Sequence, residues 1–324
     1  MRSPILALQG NMLHAFENPN GSAVKLLEDA AAEGIVSPEI DLIIDELPPM
    51  TPSVSRQVGE AARIHLHITQ LELMWAFVYG WVVLYEEAVQ RPWMENRYNG
   101  RILLETTLTQ RAAALLDWAT GLRTTYRAWP DRFPSPRYAL DDQEYEYALK
   151  VNGIFQSAVA FLLFHEFGHV TQRHLDAIIR NDTDAGALAT AIAMEREADD
   201  YAFRILLSGN DDEATRRTKG WAVLSPALSS MYLVDGRARV YQARHPHLHH
   251  RVQGILSKLN FHEDRNRFYY HYLRATILRT FDRAYALKRG TQLSPELFET
   301  ADEAFDAEMD DLDVFLRSGM KAPR

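Results

Sequence analysis

The chain has 324 residues, of which 47% are hydrophobic and 24% are charged, a composition typical of a globular protein with a sizeable core. Its formal net charge of −9 disfavours binding to nucleic acid through phosphate contacts. The absence of cysteine excludes disulfides, thiolate zinc clusters and cysteine nucleophiles, and it is typical of a reducing cytoplasm. Because the first residues, MRSPILALQGNMLHAF, lack the apolar region of a signal peptide, we expect a cytoplasmic protein.

The first part of the chain has the pattern of a small β-sheet. Residues 40–46 (IDLIIDE) are typical of a short strand, which the prolines of the following LPPMTPS interrupt. In residues 62–70 the apolar side chains of Ile64, Leu66 and Ile68 alternate with polar ones, as in a half-buried strand. We expect this strand to lie at a sheet edge near the functional cleft, where it could pair with an extended peptide.

Helices dominate the predicted structure from Leu71 onwards. The most apolar segment, residues 73–85, is shorter than the ~20 residues that cross a bilayer, so it predicts a buried core helix and no transmembrane segment. Three prolines within residues 129–138 indicate a boundary or a packed connector. Residues 294–316 predict an acidic amphipathic helix that either packs on the body or binds a partner. The spacing of apolar residues predicts four further helices, over residues 101–122, 144–173, 186–209 and 268–287.

The segment FLLFHEFGHVTQRH (residues 161–174) carries two histidines and a glutamate inside an apolar helix. His165 and His169 are four residues apart, so they lie on the same face and could bind one tetrahedral metal ion. Glu166 is offset by ~100° around the helix axis and could accept a proton from water beside that ion. This H-E-x-x-H spacing is typical of zinc peptidases. The alternative is a chance motif of polar residues in a core helix.

A catalytic zinc site needs a third protein ligand. The metzincin solution requires a glycine at position 172 and a histidine at position 175, but Gln172 and Leu175 occupy these positions and exclude that class. The other solution is a glutamate on the next helix, where the segment MEREADDYA (residues 194–202) offers Glu195 and Glu197.

Helical periodicity distinguishes these two glutamates. Glu195 and Asp199 fall within the apolar stripe of their helix, whereas Glu197 and Asp200 fall outside it, on the solvated face. Carboxylates within a buried stripe are unfavourable unless a positive charge lies opposite them, and a metal held by the two histidines would supply that charge. We therefore predict Glu195 as the third zinc ligand and Asp199 as the acceptor that orients a ligand imidazole. The stripe comprises Leu188, Ala191, Ile192, Ala198, Ala202, Ile205 and Leu206.

Together with this motif, several segments of the chain resemble, in the same order, the Lit family of phage-exclusion peptidases, which are zinc peptidases of the gluzincin type. The resemblance extends over residues 1–251, and the region after Asn260 diverges. It implies a cytoplasmic bacterial endopeptidase that uses Zn²⁺. It also implies a role in phage defence by abortive infection, through cleavage of elongation factor Tu when a phage-derived peptide is bound to that factor. The matching segments are MRSPI, LELMWAF, WPDRFPSP, FHEFGHVTQRH, EREADDYA and ARHPHLHHRV.

Two other histidines are candidates for roles in the site. His245 begins the segment HPHLHH and is our candidate for the donor that stabilises the oxyanion of the tetrahedral intermediate. The alternative is a surface loop whose histidines are incidental. His174 lies five residues beyond His169, so we expect it to lie off that residue's helix face and to be structural.

These patterns predict a mostly helical α+β fold: a zincin-like metallopeptidase core with a small N-terminal β-sheet and C-terminal helices. Residues 1–128 are predicted to hold the sheet and core helices, residues 129–260 the zinc-binding catalytic region of the same continuous domain, and residues 261–324 a helical extension. The predicted function is a zinc-dependent endopeptidase with Glu166 as general base. The alternative is a non-catalytic zinc-fold sensor that docks a partner. The absence of a spanning segment disfavours a third possibility, a membrane-associated peptidase.

Overall fold

Helices make up most of the fold, which is known from a computed structural model that describes residues 3–99, 101–178, 185–207, 211–233, 248–270 and 273. A small sheet near the N-terminus completes the mostly helical α+β fold that the sequence predicts. The helices in chain order are α1 (Gln9–Glu17), α2 (Gly21–Ala32), α3 (Ile68–Tyr85), α4 (Arg91–Met94), α5 (Thr107–Leu122), α6 (Asp142–Thr171), α7 (His174–Ile178), α8 (Ala185–Leu206), α9 (Glu213–Leu233) and α10 (Leu248–Leu259).

The sheet consists of β1 (Val36–Ile43), β2 (Ser53–Ser55) and β3 (Ala62–His67), in the spatial order β1-β3-β2. Strand β3 pairs in parallel with β1 and antiparallel with β2, so it is the central strand. The prediction that this strand lies at a sheet edge is therefore wrong. The sequence did not predict β2, because three residues are too few for alternation to indicate a strand, and without β2 the strand β3 would lie at an edge. The sheet edges belong to β1 and β2.

The junction between β3 and α3 lies earlier than the sequence predicts. The strand was expected to continue to residue 70, but it ends at His67 and the helix begins at Ile68. The first turns of this helix mix apolar residues with the polar Thr69, Gln70 and Glu72, and every side of the helix is buried, so no polar face shows where the period changes. A hydrogen bond of 2.8 Å between His67 Nε2 and Asp45 Oδ1 fixes this junction against the end of β1.

The other helix boundaries follow local capping. Helix α5 begins at Thr107 and not at residue 101, because Thr106 caps it and exchanges hydrogen bonds with Thr109. At the start of α6, the side chain of Asp141 accepts a hydrogen bond of 2.8 Å from the backbone N–H of Glu144. The predicted acidic helix over residues 294–316 and most of the helix over 268–287 lie outside the described residues.

The centre of the core is α3, whose residues are all buried and which packs against α5 and α6. A side chain at Gly80 would overlap Leu116 of α5, so this glycine permits the close approach of the two helices. One hydrophobic cluster joins residues of the predicted regions 1–128 and 129–260, for example Trp75 and Phe161. The boundaries proposed for the three regions stay a prediction.

Two helical stretches are long and apolar enough to cross a membrane by length and composition alone, Ile68–Met94 and Asp142–Thr171. The first comprises α3, a π-helical turn at Glu86–Gln90 and α4; the second is α6. Their apolar windows are 100% and 67% buried inside the fold, as expected of core helices.

A carboxyl group inside α3 predicts a measurable pH dependence of stability. Glu72 is 1% exposed, and burial raises its pKa to about 7, an effect that the nearby Ser3 side chain partly opposes. Because the folded protein holds this proton more tightly than the unfolded chain, the favourable contribution is complete below about pH 4.5 and is lost as the pH rises through 7.

We expect Glu72→Gln to remove this dependence. Relative to the variant, the wild-type free energy of unfolding should fall by about 3 kcal/mol between pH 4.5 and pH 8. Denaturant unfolding of both proteins across this range measures the difference. A difference that stays constant with pH would show that folding does not raise the pKa of Glu72.

Candidate metal centre and active site

The site lies where α6 and α8 pack closely against each other. A Cβ atom at Gly168 of α6 would lie 3.4 Å from Ala198 Cα and 3.3 Å from the ring of Tyr201, both on α8. Glycine and alanine at this contact let the two helix backbones approach. The close approach brings Glu195 and Asp199 of α8 opposite the histidines of α6.

Three side chains converge on one point, and we call His165, His169 and Glu195 the ligand cluster. His165 Nε2 lies 3.2 Å from His169 Nε2 and 3.3 Å from Glu195 Oε2, and His169 Nε2 lies 3.5 Å from Glu195 Oε1. Ligand atoms bound tetrahedrally at 2.0–2.2 Å are separated by about 3.3–3.6 Å. The donor set and its spacing therefore fit a single metal ion.

Burial on α8 follows the apolar stripe predicted from the sequence. The side chains of Glu195 and Asp199 are 15% and 6% exposed, whereas those of Glu197 and Asp200 are 59% and 46% exposed. The first two carboxylates are thus held inside the fold beside imidazoles, as the argument from desolvation requires.

Asp199 and Arg251 hold the outer nitrogen of His165. Asp199 Oδ1 lies 2.9 Å from His165 Nδ1, and Arg251 donates to both carboxylate oxygens, with 2.6 Å between Arg251 Nε and Asp199 Oδ2. Burial alone would raise the pKa of Asp199, but Arg251 and His165 hold it well below its usual range. The ionised carboxylate accepts the Nδ1–H of His165, so His165 Nε2 is the nitrogen directed at the ligand cluster.

The surroundings shift the pKa values of the two cluster histidines in opposite directions. Burial opposes a charge on His165, but its hydrogen bonds with Asp199 and Glu195 outweigh this effect and raise its pKa to about 9. Burial and the neighbouring His165 lower the pKa of His169 to about 4. These opposite shifts favour a proton on His165 over one on His169, and a metal ion that binds to His165 Nε2 would replace that proton.

His174 lies closer to the ligand cluster than its sequence spacing predicts. Helix α6 ends at Thr171, and Arg173 adopts a left-handed conformation with φ of 60° before α7 begins at His174. This reversal places His174 Nδ1 2.9 Å from His169 Nδ1. His174 lies off the helix face of His169, as the spacing predicts, but the contact between the two rings was not predicted because the sequence gives no sign that α6 ends at Thr171.

The remaining predicted residues are distributed as follows. Glu166 is buried next to His165 on α6, and its charge is close enough to contribute to the raised pKa of Arg251. His245, the predicted oxyanion donor, lies outside the described residues. Arg251 was not predicted as a site residue, because a lone arginine in HPHLHHR has no spacing that links it to Asp199.

A helix with H-E-x-x-H and a glutamate from a second helix that packs against it is the arrangement found in metal-dependent peptidases. The chain belongs to the peptidase U49 family, whose model matches residues 64–273. It is 24% identical over 267 residues to the cell death peptidase of Escherichia coli (strain K12), an alignment that covers 79% of this chain and 82% of the relative. No solved structure matches.

This family membership supports a peptidase role. The matched region contains the whole ligand cluster together with Glu166, Asp199 and Arg251. The family match also confirms the resemblance to the Lit family. The matched region extends past Asn260 to residue 273, although the sequence after Asn260 is predicted to diverge.

Proposed function

We propose that the protein is a zinc-dependent endopeptidase of the gluzincin type that hydrolyses a cytoplasmic protein. The observation that supports this best is the convergence of His165 Nε2, His169 Nε2 and the Glu195 carboxylate at separations between 3.2 and 3.5 Å. This convergence occurs beside a buried Glu166, in a chain of a peptidase family.

The ligand cluster would hold the metal ion. Two imidazole nitrogens and one carboxylate form a ligand set of catalytic zinc sites, in which one position stays available for water or substrate. When bound, zinc polarises the scissile carbonyl group and makes water more acidic.

Residues around the cluster supply the remaining steps. Glu166 accepts the proton of the attacking water and delivers it to the leaving amine. Asp199 and Arg251 hold the ring of His165 so that its Nε2 keeps its direction. His245 is our candidate for the group that donates a hydrogen bond to the oxyanion of the intermediate.

The biological role we propose is phage defence by abortive infection. The name of the Escherichia coli relative links that protein to cell death, and resemblance to the Lit family implies elongation factor Tu as the target. We infer that this chain cleaves elongation factor Tu or a similar cytoplasmic protein after a phage-derived activator has appeared.

The experiment that tests this compares newly formed protein N-termini in cells that express wild-type protein or Glu166→Gln, with and without phage challenge. We expect one or a few cleavage sites that require wild-type protein. If another protein is cleaved and elongation factor Tu stays intact, the proposal that elongation factor Tu is the substrate is overturned. If toxicity persists in Glu166→Gln and no cleavage is found, the protein acts as a non-catalytic sensor that docks a partner.

A further inference from the structure

His174 lies between a predicted zinc ligand and a carboxylate. Its Nδ1 is 2.9 Å from His169 Nδ1, and its Nε2 is 3.1 Å from Glu197 Oε2. The imidazole of His174 is buried, whereas the side chain of Glu197 is 59% exposed. The three side chains form a chain of hydrogen bonds that leads from the ligand cluster towards the protein surface.

The direction of these hydrogen bonds follows from the geometry of His169. His169 Nε2 faces His165 and Glu195, so it is the nitrogen with the lone pair for a metal, and Nδ1 carries the proton. His169 Nδ1–H then donates to His174 Nδ1. His174 in turn carries its proton on Nε2 and donates it to the Glu197 carboxylate. A neutral His174 thus satisfies both neighbours.

We propose that His174 and Glu197 are positioning residues that fix the ring and the tautomer of His169 and strengthen metal binding by the ligand cluster. This inference rests on the proposed zinc site. His165 is held by a charged Asp199–Arg251 pair, and His169 is held by a neutral histidine that a carboxylate orients. Outer partners of this kind contribute about 10–100-fold to metal affinity.

The backbone between the two histidines supports this role. A non-glycine residue with positive φ is uncommon, and Arg173 adopts φ of 60° with its side chain largely exposed. The consequence of this conformation is that the first residue of α7 turns back onto the last turn of α6. His174 therefore reaches His169 although it lies beyond the end of that helix.

The test measures the Kd for Zn²⁺ of purified protein by competition with a chelator. We expect His174→Leu to raise the Kd about 10–100-fold, because the buried Nδ1–H of His169 loses its acceptor. His174→Asn places an amide oxygen near the position of the lost Nδ1 and should raise the Kd less than tenfold. Glu197→Gln should raise the Kd by several-fold without loss of folding, because this side chain is largely exposed.

Asp200→Asn is the matched control. Asp200 is an exposed carboxylate on the same helix as Glu197, but it pairs with Lys258 and not with a histidine. The Kd of Asp200→Asn for Zn²⁺ should therefore equal that of the wild type. If folded His174→Leu and Glu197→Gln both bind Zn²⁺ as tightly as the wild type, the positioning role is wrong and the zinc site stands. If the wild type itself binds no Zn²⁺, both proposals are overturned. A raised Kd for Asp200→Asn equal to that of Glu197→Gln would also overturn the specific role of Glu197.

Discussion

Glu166→Gln is expected to lower kcat/KM for peptide-bond hydrolysis by about 10²–10⁴-fold, the usual contribution of a general base. Glutamine keeps the size of the side chain but cannot accept the proton of water. Because His165, His169 and Glu195 are unchanged, zinc content and zinc affinity should equal those of the wild type. The measurement is kcat/KM on a cleaved protein identified by N-terminal profiling, with metal analysis of both purified proteins.

Glu146→Gln is a matched control for this substitution. Glu146 lies on the same helix as Glu166, but it is exposed, so the same chemical change should leave kcat/KM unaltered. Full activity of Glu166→Gln on its substrate would contradict the proposed mechanism. Loss of zinc from that variant would assign the effect to metal binding and not to proton transfer.

Asp199→Asn is expected to lower the free energy of unfolding by about 3–5 kcal/mol, the usual effect of removing one partner from a buried ion pair. The side chain of Arg251 is 12% exposed, and it donates from Nε and from Nη2 to the Asp199 carboxylate. Asparagine leaves the guanidinium buried without a negative partner. Denaturant unfolding in the presence of a chelator measures this effect apart from any contribution of bound metal.

Asp200, the residue next to Asp199, provides a control for this loss of unfolding free energy. Asp200→Asn removes a surface ion pair with Lys258, so it should change the free energy of unfolding by at most about 1 kcal/mol. In the double variant Asp199→Leu with Arg251→Met, the buried guanidinium is removed together with its carboxylate, so the loss should be smaller than in Asp199→Asn. A loss below about 1 kcal/mol in Asp199→Asn would show that Arg251 is solvated or has another partner.

The arrangement of α8 could be predicted because it depends on a single regular helix. A period of 3.6 residues separates Glu195 and Asp199 from Glu197 and Asp200, and burial in the structure follows this separation. The same reasoning predicted the mostly helical fold and the proximity of Glu195 to His165 and His169. The catalytic and metal-binding roles of these residues stay predictions.

His174 could not be predicted, because periodicity applies only while a helix continues. The end of α6 at Thr171 and the left-handed conformation of Arg173 have no pattern in the sequence that predicts them. Arg251 was missed for a related reason. It reaches Asp199 from α10, and a contact between distant segments leaves no spacing that a single sequence reveals.

The central position of β3 depends on its pairing with β2, which the local sequence pattern does not predict. Strand β2 contributes three pairs to β3, but its Ser-Val-Ser sequence is too short and too polar for the alternation to indicate a strand. Because β3 is paired on both sides, it cannot bind an extended peptide by strand addition, and the prediction that it does so is wrong.

The close contact at Gly168 would have a consequence for the size of ion that the proposed metal site could hold. The spacing of α6 and α8 sets the distance from Glu195 to the two imidazoles, and a Cβ at position 168 would lie 3.3 Å from the ring of Tyr201 on α8, which would have to shift by a few tenths of an ångström. Zinc bonds to nitrogen and oxygen measure about 2.0–2.2 Å, whereas calcium requires about 2.3–2.6 Å. Discrimination between small and large cations would thus depend in part on a residue that has no side chain and offers no ligand atom.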